Sequence, residues 1–293
     1  MRILQRAALL LVGLAVLCGE TGKVHAQQHA TFIERWQARA TETQSQQPHW
    51  ATPVATSTPK LDQAMRTEFV RQINSSHSST WNLGNNKGLE LILERHTEII
   101  FGVPPFFQHS QPHTESGFGD FWFQAKYRFY ACDERHGNIG ITAIVYATLP
   151  TGKNFNGQCC AVVTPTIAAG KGVGRFALMS ALGGSLPVSN AAGVGRSILW
   201  NSVLQYRVGD RGFTRQLSPE VEFNTSFFHG GPHDGKAAVF GTPGLVFGRI
   251  PLAHDAAGKP GRLALTLAAG EQIALTRFHT YDHGLILGVR LPF

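Results

Sequence analysis

Hydrophobic and polar positions alternate along much of this chain with a period of two. Between Gly119 and Tyr130, Phe121, Phe123, Ala125, Tyr127 and Phe129 interleave with Gln124, Lys126 and Arg128. Between Glu220 and Phe227, Val221, Phe223, Thr225 and Phe227 oppose Glu220, Glu222, Asn224 and Ser226. Leu89, Leu91, Leu93, Ile99 and Phe101 oppose Glu90, Glu94, His96 and Glu98, with Ile92 out of step. Trp200, Ser202, Leu204, Tyr206 and Val208 oppose Asn201, Gln205 and Arg207, and a weaker alternation runs over 263–269. The last stretch, GLILGVRLPF, sets Leu285, Leu287, Val289, Leu291 and Phe293 against Gly288, Arg290 and Pro292, with Ile286 as the misfit. Successive side chains of a β-strand point to opposite faces, so each stretch predicts a strand with one apolar and one polar face.

Strands are predicted over 64–73, 87–102, 118–130, 137–149, 161–170, 174–187, 197–208, 216–228, 237–250, 261–277 and 283–293. A chain that stops inside its last strand leaves an unpaired edge unless that strand joins the first and closes the sheet. Single-chain bacterial barrels have even strand numbers with both ends in the periplasm. Trp50 to Pro59 (WATPVATSTP) is therefore assigned as the twelfth strand despite its prolines; ten strands is the fallback. The predicted fold is all-β, a transmembrane antiparallel β-barrel of about twelve strands with a short helical or disordered N-terminal segment. Counting back from a periplasmic C-terminus puts loops 103–117, 150–160, 188–196, 229–236 and 278–282 outside. Loops 74–86, 131–136, 171–173, 209–215 and 251–260 fall inside.

A soluble sandwich alternates too, but its polar faces meet bulk water. Aromatics at the strand ends favour the membrane reading: Trp81, Phe101, Phe106, Phe107, Tyr127, Phe129, Tyr130, Phe227, Phe228, Phe278 and Tyr281 suit an interfacial girdle. At the N-terminus Arg2 and Arg6 precede the apolar run Ala7 to Cys18, and Val24-His25-Ala26 ends in the small residue of a cleavage site. Residues 1–26 thus read as a signal peptide, too short for a membrane helix of roughly 20 apolar residues. Leu17 is too large to precede a lipid-bearing Cys18. Residues 27–49 read as a periplasmic segment or plug, in which Phe32, Ile33, Trp36 and Ala40 share a face at helical spacing. Residues 50–293 read as the barrel. The expected location is the outer membrane of a Gram-negative-type bacterium, with its lipid as partner.

The formal charge of +7 falls to +5 once Arg2, Arg6, Lys23 and Glu20 leave with the leader. It is spread without a basic stripe, so nucleic acid is not an expected partner. Enzyme motifs fail on context. Pro150-Thr151-Gly152-Lys153 ends like a phosphate loop, but Ala147 replaces its first glycine and Asn154 its Ser or Thr. Gly170, Gly172 and Gly174 read as a tight hairpin, and Ser185 in GGSLP lacks the following glycine of a nucleophile elbow. Neither enzymatic activity nor a cofactor is expected. His109 and His113, His229 and His233, and His279 and His283 form three His-x3-His pairs in the outer loops, the candidates for metal binding; their bland reading is solvated loop histidine. Cys132 falls in an inward turn, about 30 Å from Cys159 and Cys160 across one strand, which no disulfide spans. Free thiols are expected, or a vicinal bridge between the latter two.

The runs SGFGDFWFQAKYRF (116–129), YATLPTGK (146–153), TPGLVFGR (242–249) and GLILGVRLPF resemble the outer-membrane family associated with the meta-pathway of phenol degradation. The resemblance covers most of the chain beyond about residue 50 and implies a barrel of about twelve strands with a role in uptake of aromatic or other hydrophobic small molecules. It carries no functional residues with it.

Alternation itself nominates the lumen: Glu90, Glu94, His96, Glu98, Lys126, Arg128, Arg207, Glu220, Glu222 and Arg290, roughly balanced in sign. Such charges either line a pore or bridge across a closed barrel. Two functions follow. One is a channel passing small hydrophobic or aromatic solutes by passive diffusion; the other is a closed structural or adhesive barrel whose outer loops bind a ligand or metal.

Overall fold

The structure is a computed structural model that describes residues 31–85, 87–153, 156–254, 258 and 261–293. The expected leader lies outside the described residues. The chain divides into two units, residues up to Arg35 and residues from Trp36 onward. In the first, Thr31 and Glu34 form a reciprocal cap: Thr31 N–H donates to the Glu34 carboxylate at 2.7 Å, and Glu34 N–H to the Thr31 hydroxyl at 3.2 Å. That cap starts helix α1 (Phe32–Ser45).

The second unit is a closed antiparallel sheet. Its strands are β1 (Ala64–Ile73), β2 (Ser79–Leu83), β3 (Gly88–Glu94), β4 (Thr97–Gly102), β5 (Phe106–His109), β6 (Gly117–Phe118), β7 (Phe121–Cys132) and β8 (Ile139–Leu149). They continue as β9 (Val162–Val173), β10 (Phe176–Pro187), β11 (Arg196–Tyr206), β12 (Leu217–His229), β13 (Ala237–Pro251), β14 (Ala264–Ala274) and β15 (His283–Pro292). Neighbours in sequence pair from β7 through to β15. Three staves are broken: β1 pairs with β3 through Ala64 and Met65 but with β2 through Phe69 to Ile73. Likewise β4 and β5 continue one another, as do β6 and β7. Counted as staves the wall has twelve, and β1 closes it on β15 from Ala64 opposite Pro292 to Ile73 opposite His283.

The strand number holds, while two of its components do not. Trp50 to Pro59 forms no strand. The missing stave comes from 87–102, which is a hairpin turning at Arg95-His96 rather than one long strand. Consequently the turn after β1 lies at the same barrel end as the loops after β5, β8, β10, β12 and β14, and 74–86 is not a connection at the end that holds the C-terminus. Gly170 and Gly172 belong to β9, and only Gly174, with φ +59°, sits in the turn.

The wall is inside out relative to a soluble protein. Phe223 is 46% exposed and Trp200 52%, whereas Glu98 and Glu222 are fully buried. Apolar side chains face out and ionisable ones face in, the reverse of what water selects. No described helix is long and apolar enough to cross a membrane. Of the expected girdle, Phe101, Tyr127, Phe129, Tyr130 and Phe227 are exposed. Tyr281 instead donates its hydroxyl to Gln272 and stacks on Phe240, with ring centres 4.8 Å apart.

Ile92 and Ile286, which broke the alternation, are almost fully buried and point inward. Ile286 packs with Val54, Val70, Val246 and Ala268; Ile92 packs with Ala40 and Leu61. Apolar side chains on a polar face are stable because the chain before β1 supplies partners for them. Ile286→Ala should therefore lower stability by about 2–5 kcal/mol through the cavity it leaves, whereas Leu287→Ala, facing outward, should cost far less. Urea unfolding of the refolded protein in detergent, followed by tryptophan fluorescence, measures both.

Candidate functional site

The lumen is occupied by residues 46–63. At the end that holds both termini of the wall, Trp36 of α1 donates its indole N–H to the Ile92 carbonyl at 2.6 Å, and Arg39 donates to the Leu93 carbonyl at 2.7 Å and pairs with Glu94 at 3.4 Å. The part of α1 from Trp36 onward is thereby fixed to the β3–β4 turn. His49 then meets Glu134 at 2.9 Å, beside the β7–β8 turn. From there the chain enters the barrel, reaches β12 at Val54 to Thr56, and returns to Ala64.

This segment has no regular hydrogen-bonding partner strand, and the wall's charges take that place. Glu220 accepts from Val54 N–H at 2.8 Å; Glu222 accepts from Ala55 N–H at 2.8 Å and Thr56 N–H at 2.5 Å. Glu98 accepts from Asp62 N–H at 2.5 Å while paired with Lys126 at 2.9 Å. Cationic groups serve the carbonyls. Arg290 donates to Thr52 and Pro53, Arg66 to Pro53 at 3.2 Å and Val54 at 3.3 Å, and Lys126 to Lys60 at 3.3 Å, while Arg128 reaches the Gln47 side-chain oxygen at 2.8 Å and the Thr43 carbonyl of α1 at 3.2 Å. Thr142 adds a bond to the Pro59 carbonyl at 2.5 Å.

Shape matches the polar grip. Trp50 packs with Ala177, Met179 and Val203. It lies against the inward glycines of β9: a Cβ on Gly170 would come within 2.6 Å of its ring, and one on Gly172 within 2.7 Å of its indole nitrogen. Those glycines make room for an indole, which explains the glycine row better than a turn does.

Of the ten residues that alternation nominates for the lumen, Glu90, Glu98, Lys126, Arg128, Glu220, Glu222 and Arg290 are buried inside the barrel. Glu94 is mostly exposed at the rim, His96 contacts the Arg128 carbonyl at 3.0 Å from the β3–β4 turn, and Arg207 pairs with Asp210 at 3.5 Å just after β11. Arg66 and Glu68, 2.9 Å apart, belong to the same set, with Glu90 3.8 Å and Lys87 3.6 Å away. Their signal was present in β1, where Ala64, Arg66, Glu68 and Val70 alternate with Met65, Thr67, Phe69 and Arg71.

The histidine pairs are used locally. His109 meets Thr80 at 3.0 Å and Asn156 at 2.7 Å; His279 meets Asp282 at 2.7 Å; His283 meets Glu271 at 3.3 Å; and His229 lies 3.7 Å from Asp234. His233 packs on Phe228 and Phe278. His113 adopts a positive φ of 66° in the loop after β5. Among the described residues no three His, Cys, Asp or Glu side chains gather to hold a metal ion. Cys132, Cys159 and Cys160 are free thiols. The phosphate-loop look-alike has a structural role: Asp120 accepts from Gly152 N–H and Gln158 N–H, both at 2.8 Å, and Thr151 accepts from Phe121 N–H at 2.8 Å. The GFGD and PTGK runs are thus two halves of one outer-loop lock.

No protein-family model matches this chain, and no curated protein matches it in sequence. Among solved structures, an outer-membrane channel from Pseudomonas putida F1 matches at 15% identity with a TM-score of 0.53, covering 83% of this chain and 100% of that one. The likeness is one of fold: a closed antiparallel barrel.

Removing the Glu222 carboxylate by Glu222→Ala should orphan the buried Thr56 N–H, at about 1–3 kcal/mol, and the half-buried Ala55 N–H at less, and loosen the segment's tip. In a background with native cysteines replaced by serine, Ala55→Cys should then react with a water-soluble maleimide much faster than it does with Glu222 intact, and Glu222→Gln should fall between.

Proposed function

We propose that this chain is an outer-membrane channel for small hydrophobic or aromatic molecules, passing them by passive diffusion and closed at rest by residues 46–63. The observation that carries the reading is the inside-out wall, with exposed Phe, Trp and Leu outside and buried charge within. A closed barrel of that polarity suits lipid outside and a polar lumen. The leader expected over 1–26 would deliver it to the outer membrane, and the family resemblance of the GFGD and closing-strand motifs agrees in direction. So does the likeness in fold to a channel.

Passage requires the segment to move or the solute to leave sideways. A sideways route has a candidate place between β1 and the β2–β3 stave, where among the described residues Arg66 and Thr67 have no strand partner and the Glu68 carbonyl is met only by Gly84 N–H, at 2.7 Å. The second reading, a closed barrel that acts through its outer loops, is favoured by the density of bonds that hold residues 46–63.

Planar-bilayer conductance separates the two. The mature chain should give small or rare openings, and a variant lacking residues 27–62 should conduct several-fold more. If both forms are silent although folded, the closed barrel is the better reading.

A further inference from the structure

At the barrel end that holds the termini, a cavity of about 680 Å³ lies between residues 44–64 and the ends of β13, β14 and β15. Its size falls within the range of small-molecule sites. Its walls combine apolar surface, from Trp50, Val246 and Ala264 among others, with an excess of positive charge. Lys60 is paired with Asp62 at 3.9 Å and Glu90 with Arg66 at 3.8 Å, so the cavity's carboxylates are already taken. Arg290 spends its donors on the Thr52 and Pro53 carbonyls. That leaves Arg215 from the β11–β12 connection, Arg249 near the end of β13 and Arg262 just before β14, which make no ion pair within the described residues; there Arg249 donates only to the Arg262 carbonyl, at 3.3 Å.

Three unpaired guanidiniums around an apolar-backed hollow fit one class of ligand: a small organic anion with an apolar body and a carboxylate or similar group. A guanidinium grips such a group through two parallel hydrogen bonds, while the indole and aliphatic wall takes the rest. A concave surface of one sign also raises the local concentration of the opposite ion. We propose that this vestibule is a binding site for small amphipathic organic anions, such as an aromatic carboxylate, at the inner mouth of the barrel. It deepens the channel reading by naming a solute class, but binding here does not depend on transport.

The test is equilibrium binding to the full mature chain in non-ionic detergent, so a channel that fails to conduct leaves it intact. Calorimetric titration with benzoate and with the neutral benzyl alcohol should show benzoate binding at least roughly tenfold tighter. Arg215→Gln, Arg249→Gln and Arg262→Gln together should abolish that preference, and the corresponding three Arg→Lys changes, which keep the charge without the two-pronged grip, should retain only part of it. The barrel's heat-dependent mobility shift on gels confirms that each variant is folded. Equal affinity for the two probes, or an unchanged preference in the folded triple Gln variant, overturns the proposal. So does binding of a short-chain phosphatidylglycerol with none of benzoate, which would make the vestibule a lipid-headgroup site.

Discussion

An irregular backbone inside a barrel must have its N–H and C=O groups paired, and everything else in this lumen follows from how that is met. Residues 46–63 form neither helix nor strand, so the wall provides the partners. Carboxylates of Glu98, Glu220 and Glu222 take N–H groups; Arg66, Lys126 and Arg290 serve carbonyls, and Arg128 holds the Gln47 side chain. Each bond to a charged group contributes about 1.5–3 kcal/mol, and a charge left without its partner would be costly to bury. The wall and the segment therefore stabilise each other: the irregular chain is not tolerable in the lumen without the charges, and without the chain the charges must be met by water that fills the lumen.

The apolar contacts sit where this polar grip leaves space. Ile286, Ile92 and Trp50 each mark a point at which an inward position is apolar or is cut back to glycine so that the segment fits. Packing fixes the position of the segment, and hydrogen bonds fix its course. The outer surface is independent of both, since its apolar side chains answer only to lipid.

Much of the barrel was legible in the sequence. Period-two alternation located most of the strands, and seven of the charges it nominates lie buried on the inner face, because alternation is a direct geometric property of a strand with two unlike faces. What it missed has one cause. WATPVATSTP has the small and apolar mixture of a weak strand, but its prolines were the contrary signal. Pro53 and Pro59 have carbonyls and no N–H, and those carbonyls are what Arg66, Arg290 and Thr142 hold. Read as one strand, the 87–102 hairpin leaves the count at eleven, so parity drafts WATPVATSTP as the twelfth and puts 74–86 at the wrong end. The alternation of β1 also carries Arg66 and Glu68, and the convergence of Arg215 after β11 with Arg249 and Arg262 at the β13–β14 hairpin depends on the pairing of staves, which no periodicity records.

All of this requires residues 46–63 to sit inside the barrel against these wall residues. Its most direct test is a crosslink between Val54→Cys and Val246→Cys, which belong to one buried cluster, with Cys132, Cys159 and Cys160 replaced by serine. Mild oxidation of the protein in outer-membrane preparations should join the two and change its gel mobility, while Val54→Cys paired with the outward-facing Leu245→Cys should not react. Equal or absent crosslinking for both pairs would contradict the account.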